Sequence, residues 1–291
     1  MLKRISLMYE NFILRNPIRV LLFLTLILSF SVVNIKHFQL DASADTLILD
    51  DDEDLKIFRD TNEKYKSNDF MILTITDKYH DIFSPDTLSF IHMLTEKIAK
   101  VDYVESVTSI TNIPLVTSSP KPLTELINDI PNILSEDINK KLAREEIISS
   151  PIYKDLIISS DAKTSAMQIV IKKNQNLLDA LNKRDTFYKK YASNHIYEDE
   201  YIASKATYDS IAKEEKENIG DLIKELRVIQ DKYSSERYEI RLGGIPMITD
   251  DMITFIRNDL VNFGIGVLAF ILVTLIIIFR KVIWVITPII N

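Results

Sequence analysis

The chain has no cysteine among its 291 residues. That excludes disulfides, thiolate metal sites and a cysteine nucleophile, although it does not fix a compartment. Glycine is also scarce, at five residues. No G-x-G-x-x-G, G-K-[ST] or G-x-S-x-G can be assembled from them, so dinucleotide loops, phosphate loops and nucleophile elbows are excluded. The four histidines, His37, His80, His92 and His195, are scattered, with no partner three or four residues away and no H-E-x-x-H. No catalytic, cofactor-binding or metal site is read from these patterns, and an enzyme has no positive support.

Charge is nearly absent from two places. Val20–Ile35 holds sixteen residues without a formal charge, and Leu260–Phe279 holds twenty. Between them, residues 36–259 carry 41 of the 42 acids and 29 of the 35 basic residues, a balance of −12. The mean hydropathy of +0.04 averages these two unlike populations. A net acidic segment argues against nucleic acid and against docking on anionic head groups.

The first apolar block predicts a membrane helix over 17–35, with Asn16 and Pro17 as cap and first-turn residue. Nineteen residues give about 28 Å, enough for the hydrocarbon core. The second block predicts a span over 260–279. Lys3, Arg4, Arg15 and Arg19 precede the first block, and Arg280 and Lys281 follow the second. Positive-inside bias then places both ends in the cytoplasm and 36–259 outside it. Ala42-Ser43-Ala44 resembles a cleavage site but lies too far past the apolar core, so retention of the first helix is expected. Residues 1–16 read as a cytoplasmic amphipathic leader. Residues 280–281 form a short cytoplasmic turn, and apolar sequence resumes over 282–291, the expected start of a third span.

Within the segment between the spans, Asp50–Asp54 fits acidic helix capping better than a calcium loop. The sixth loop position is Leu55 where glycine is needed, and the twelfth is Thr61 where glutamate is needed. Phe70–Thr76 predicts a strand, Ser84-Pro85-Asp86 a helix start, and Leu88, Ile91, Leu94 and Ile98 its buried stripe. A strand is expected over Val101–Ile110 and a helix over Ser135–Ile148. A hairpin is expected from Leu156–Ser159 and Ser165–Lys172. Residues 177–234 read as polar helix broken near Asn194-His195, with Ile219, Leu222, Ile223, Leu226 and Ile229 facing a sheet. A last strand covers Tyr238–Leu242. Gly243-Gly244-Ile245-Pro246 predicts a turn, and from Met247 one helix is expected to run without a breaker into the second span. The β-α-β…β-α-β order predicts a ferredoxin-like unit with a helical insertion at about 177–215.

Three stretches in order resemble the resistance-nodulation-division (RND) superfamily, within it the MMPL-type lipid and hopanoid exporters. They are Leu40–Ile75, Gly243–Leu260 (GGIPMITDDMITFIRNDL) and Phe279–Ile290 (FRKVIWVITPII). A glycine common in the family before the first strand is replaced near Lys66-Ser67. The resemblance implies a porter domain on the periplasmic side of a bacterial inner membrane and a larger, multi-pass transporter driven by protons. The lipid bilayer and a hydrophobic or lipid-like substrate are its implied partners. An oligomer or a periplasmic accessory protein is left open, and no cofactor is implied. The proton-relay residues of the family lie in spans that this sequence does not include. The structural or coupling candidates are Gly243, Gly244, Pro246 and Asp259, within the second of these stretches, and Gly264 and Gly266, small residues that would let a neighbouring helix approach closely or are simply tolerated in lipid. A two-span membrane sensor is the alternative, and the apolar restart at Val282 argues against it.

Overall fold

The computed structural model describes residues 68–119, 130–193 and 195–280, together with Leu22, Phe23, Leu26, Ile27, Ser29, Phe30, Ile57 and Thr61. The chain divides into two units, residues 50–250 and residues 1–49 with 251–291.

The larger unit is mixed α and β, built on a four-stranded sheet. Its strands are β1 (Phe70–Asp77), β2 (Val104–Thr108), β3 (Thr164–Ile171) and β4 (Tyr238–Gly243). Their order is β2-β3-β1-β4, and every neighbouring pair is antiparallel. The helices are α1 (Pro85–Ile98), α2 (Lys140–Ser149), α3 (Gln175–Ser193), α4 (Glu198–Tyr233) and α5 (Ile245–Phe279). Alternation along β1 buries Met71, Leu73 and Ile75, which sit opposite Ile169, Met167 and Ser165 of β3. The period of two puts these residues on one face, where apolar burial is worth about 25 cal/mol per Å². Leu88, Ile91, Leu94 and Ile98 of α1 join this core, as do Leu222, Ile223, Leu226 and Ile229 of α4. The opposite face is more open, with Phe70 and Ile72 exposed.

Several expected bounds shift for local reasons. The strand expected over Val101–Ile110 is only Val104–Thr108. Before it the chain turns, with Tyr103 at φ 66°. After it Asn112 closes a second turn, accepting from Ser109 N at 2.7 Å and donating to Val107 O at 2.7 Å. The helix expected from Ser135 starts at Lys140, because Asn139 takes the cap and accepts from the amides of Lys141 and Leu142. Asn132 and Ser135 are already committed to a turn of their own. Leu156–Ser159 forms isolated bridges in place of a full strand, although Ala166 N does reach Ile157 O at 2.8 Å. The long helix begins at Ile245, two residues earlier than Met247.

The polar helical stretch is divided near the expected place: α3 ends at Ser193, and a 3₁₀ turn at His195–Tyr197 leads into α4. The two helices run antiparallel. Tyr191 stacks on Tyr201 with centroids 5.4 Å apart, and the Arg184 guanidinium lies 4.5 Å from the Tyr208 ring centre. Gly220 is the one glycine of α4. A Cβ there would stand 3.7 Å from Asp250 Oδ1, ordinary contact. Replacing Gly220 with alanine is therefore expected to raise stability by roughly 0.5–1 kcal/mol through helix propensity, read as a higher urea midpoint.

In the other unit, the six described residues of the first apolar block that lie between Leu22 and Phe30 are helical. The rest of the expected 17–35 helix, the leader, the Asp50–Asp54 run and residues 281–291 lie outside the described residues. Two complete spans and the start of a third are thus not displayed. Among the described residues one helix, α5, is long and apolar enough to cross a membrane, and none of its most apolar stretch is buried in protein. Thr274, inside that stretch, donates its hydroxyl to Phe270 O at 2.8 Å, which keeps the polar group satisfied.

Candidate functional site at the strand–helix junction

Gly243 is the last residue of β4 and sits opposite Ile72 of β1. Gly244 follows at φ 132°, a conformation that L side chains rarely adopt. A Cβ on it would meet Met71 Cα at 3.0 Å and Phe70 O at 3.1 Å. Backbone geometry and close approach to β1 both demand glycine here. Its carbonyl accepts from Ile248 N at 3.0 Å, so Gly244 is where α5 takes its first helical bond. Pro246 is the second residue of that helix, where its missing N–H leaves no bond unmade. Met247 packs on the core. One turn on, Asp250 borders Gly220 of α4. Lys224 is held above its ordinary range, first by its 2.8 Å bond to Asp221 and also by the charge of Asp250. The start of α5 thus lies beside β1 at Gly244 and beside α4 at Asp250.

Of the six residues singled out from sequence, the structure gathers Gly243, Gly244 and Pro246 at this junction. A Cβ at Gly243 would meet nothing within 4 Å, so the steric demand falls on Gly244 alone. Asp259 lies further along α5. Gly264 and Gly266 follow it, and a Cβ at either meets nothing within 4 Å.

A second polar constellation was invisible in the sequence. Asp77, fully buried at the end of β1, accepts from Tyr79 N (2.9 Å), His80 N (3.0 Å), Thr87 Oγ1 (2.6 Å) and Arg237 Nε (3.1 Å). Burial pushes its carboxyl up, but the bonds from Thr87, Tyr79, His80 and Arg237 outweigh burial and hold it at about 2. Arg237 also lies 3.7 Å from Asp86 in the first turn of α1. This cluster ties the end of β1, the start of α1 and the approach to β4. Asp77 and Arg237 are 160 residues apart, and no local pattern announces their pairing.

Glu146 forms a third. Its carboxylate accepts from the consecutive amides of Val116, Thr117 and Ser118 at 2.7–3.0 Å. Burial raises its pKa, yet these bonds bring the net value below the ordinary range. A polar cleft of about 540 Å³ is lined by Tyr103, Lys172, Lys173, Asn174, Ile211 and Glu214, among others. Among the described residues no three His, Cys, Asp or Glu side chains are grouped so as to hold a metal ion. Of the histidines, His80 places Nδ1 3.9 Å from Asp77 Oδ1 and His92 is exposed. None of these groups pairs a nucleophile with a base. At the junction the start of a long helix, α5, lies against the sheet at Gly244.

Comparison of the chain with protein-family models, with curated proteins and with solved structures gives no match.

Proposed function

We propose that the chain works as part of a proton-driven exporter of the RND superfamily, MMPL type, moving hydrophobic or lipid-like substrates across or out of a bacterial inner membrane. In this reading residues 36–259 form a periplasmic, ferredoxin-like porter domain with α3 and the first half of α4 as its helical insertion. The apolar blocks at 17–35 and 260–279 are its flanking spans.

The observation that carries the reading is α5. It is one unbroken helix of 35 residues, pinned to a sheet at Gly244 and ending in twenty uncharged residues. The β2-β3-β1-β4 order, with α1 after β1 and α4 before β4, supports the ferredoxin-like assignment. The porter unit needs a connection to the spans that harvest the proton gradient, and an unbroken helix in the chain is suited to be one. Movement of the spans is then delivered to β4 and β1 through the Gly244 junction.

The test is made in cells carrying the complete gene. Deleting the gene should slow energised efflux of a hydrophobic fluorescent probe such as N-phenyl-1-naphthylamine, and a protonophore should reproduce the defect. Inserting two glycines after Asn258 should abolish efflux to the level of the deletion while membrane abundance stays unchanged. Efflux that ignores both the protonophore and the deletion would sink the exporter reading. Efflux that survives the insertion would sink the role of α5 as the connection.

A further inference from the structure

The α3–α4 pair projects from the sheet as an arm, and each helix has a break in its regular sequence or structure at the same level. On α4 the break is Gly220. It lies one residue inside the end of the half packed on the sheet, Ile219 to Ile229, beyond which the helix runs along α3. Alanine would fit there, with its Cβ 3.7 Å from the nearest atom, so packing does not account for the glycine. What glycine does in mid-helix is ease bending. On the other rod, Lys172, Lys173 and Asn174 connect β3 to α3 and belong to neither.

These two points are neighbours. Asn174 Nδ2 donates to the buried Glu215 Oε2 at 2.6 Å, tying the base of α3 to α4 five residues before Gly220. The polar cleft opens at this level, lined by the 172–174 linker, Ile211 and Glu214 on the arm side and Tyr103 on the sheet side. Beside it, Asn218 Nδ2 donates to the Tyr103 hydroxyl and joins the arm to the turn before β2. Burial, and then the charges of Glu215 and Glu214, push the Tyr103 phenol up, so it remains a neutral hydroxyl. Tyr103 itself is anchored, because its carbonyl accepts from Lys172 N at 2.9 Å.

We propose that the α3–α4 arm swings about Gly220 and the 172–174 linker, and that the Asn218–Tyr103 bond is the catch that holds it in the position observed. The cleft is the space into and out of which the arm moves. This device belongs to residues 50–250 and does not depend on the exporter reading.

The absence of cysteine makes the test direct. In the full chain in detergent, nitroxides are placed on Ala192→Cys near the arm's tip and Lys100→Cys on the sheet unit, and their separation is measured by pulsed electron resonance. The parent should give one dominant distance. Tyr103→Phe, which removes a single oxygen, should broaden the distribution and add a second distance, and Asn218→Ala should do the same. Adding Gly220→Ala to either variant should narrow the distribution again. One narrow distance shared by the parent and both catch variants would overturn the swing. Broadening that Gly220→Ala leaves untouched would overturn Gly220 as the pivot.

Discussion

Asp77→Ala is expected to cost about 3–5 kcal/mol of folding stability, a large share of the total for a domain of ordinary stability. The carboxylate is fully buried, and four donors converge on it. Removal leaves the amides of Tyr79 and His80 without their acceptor and Arg237 without its closest anion. Arg237 is 28 % exposed and keeps Asp86 at 3.7 Å, which sets the effect toward the lower end of that range. Urea unfolding of the full chain in detergent, followed by circular dichroism, reads the change. An effect under about 1 kcal/mol would mean that water replaces the carboxylate and that the cluster is not a structural tie.

The same residue sets an acid dependence whose sign follows from its low pKa. An unfolded chain binds the Asp77 proton near 3.8, and the folded one near 2. Between those values the unfolded state holds more protons, so stability rises with pH. The contribution, about 2 kcal/mol by linkage, is complete above pH 3.8 and is lost as pH falls through about 2. Asp77→Asn should remove this slope from the acid limb of the stability profile, while the carboxylates elsewhere keep theirs.

Gly244→Val is the second large effect, expected at about 3 kcal/mol or more. A φ of 132° is adopted by L residues only with strain of about 1–3 kcal/mol. The added Cβ also meets backbone, Met71 Cα at 3.0 Å and Phe70 O at 3.1 Å, so no side chain can rotate aside to admit it. Relief requires β1 and the start of α5 to separate, and overpacking of this kind adds about 1–3 kcal/mol. Gly243→Ala is the control. With nothing within 4 Å of its Cβ and no left-handed φ, it should change stability by less than about 0.5 kcal/mol. If the two glycines behave alike, the junction is looser than the geometry states.

Both glycines were singled out from the sequence as one turn, and only the fold separates them. One is the end of a strand, and the other is wedged against a neighbouring strand. The motif could not say which, because the contact that decides it comes from Met71, 173 residues earlier.

What the sequence determined by itself is whatever depends on neighbours along the chain. The stripe Leu88, Ile91, Leu94 and Ile98 predicted α1, and all four are buried. Ile219, Leu222, Ile223, Leu226 and Ile229 gave the sheet-facing side of α4. The break near Asn194, the two central strands and the unbroken run from the glycine pair into twenty uncharged residues were equally local. Periodicity and charge density carry these features, since side chains at spacings of two or of three to four must share a face. Tertiary structure decided the rest. Strand ends moved where Asn112 and Tyr103 turn the chain, and a helix start moved where Asn139 outcompeted Ser135. The Asp77–Arg237 cluster, the Glu146 clasp on residues 116–118 and the Asn218–Tyr103 bond join residues that are far apart in the chain. Their pairing is set by which elements the packed core brings side by side, and a polar residue carries no mark in the sequence of the partner it will meet.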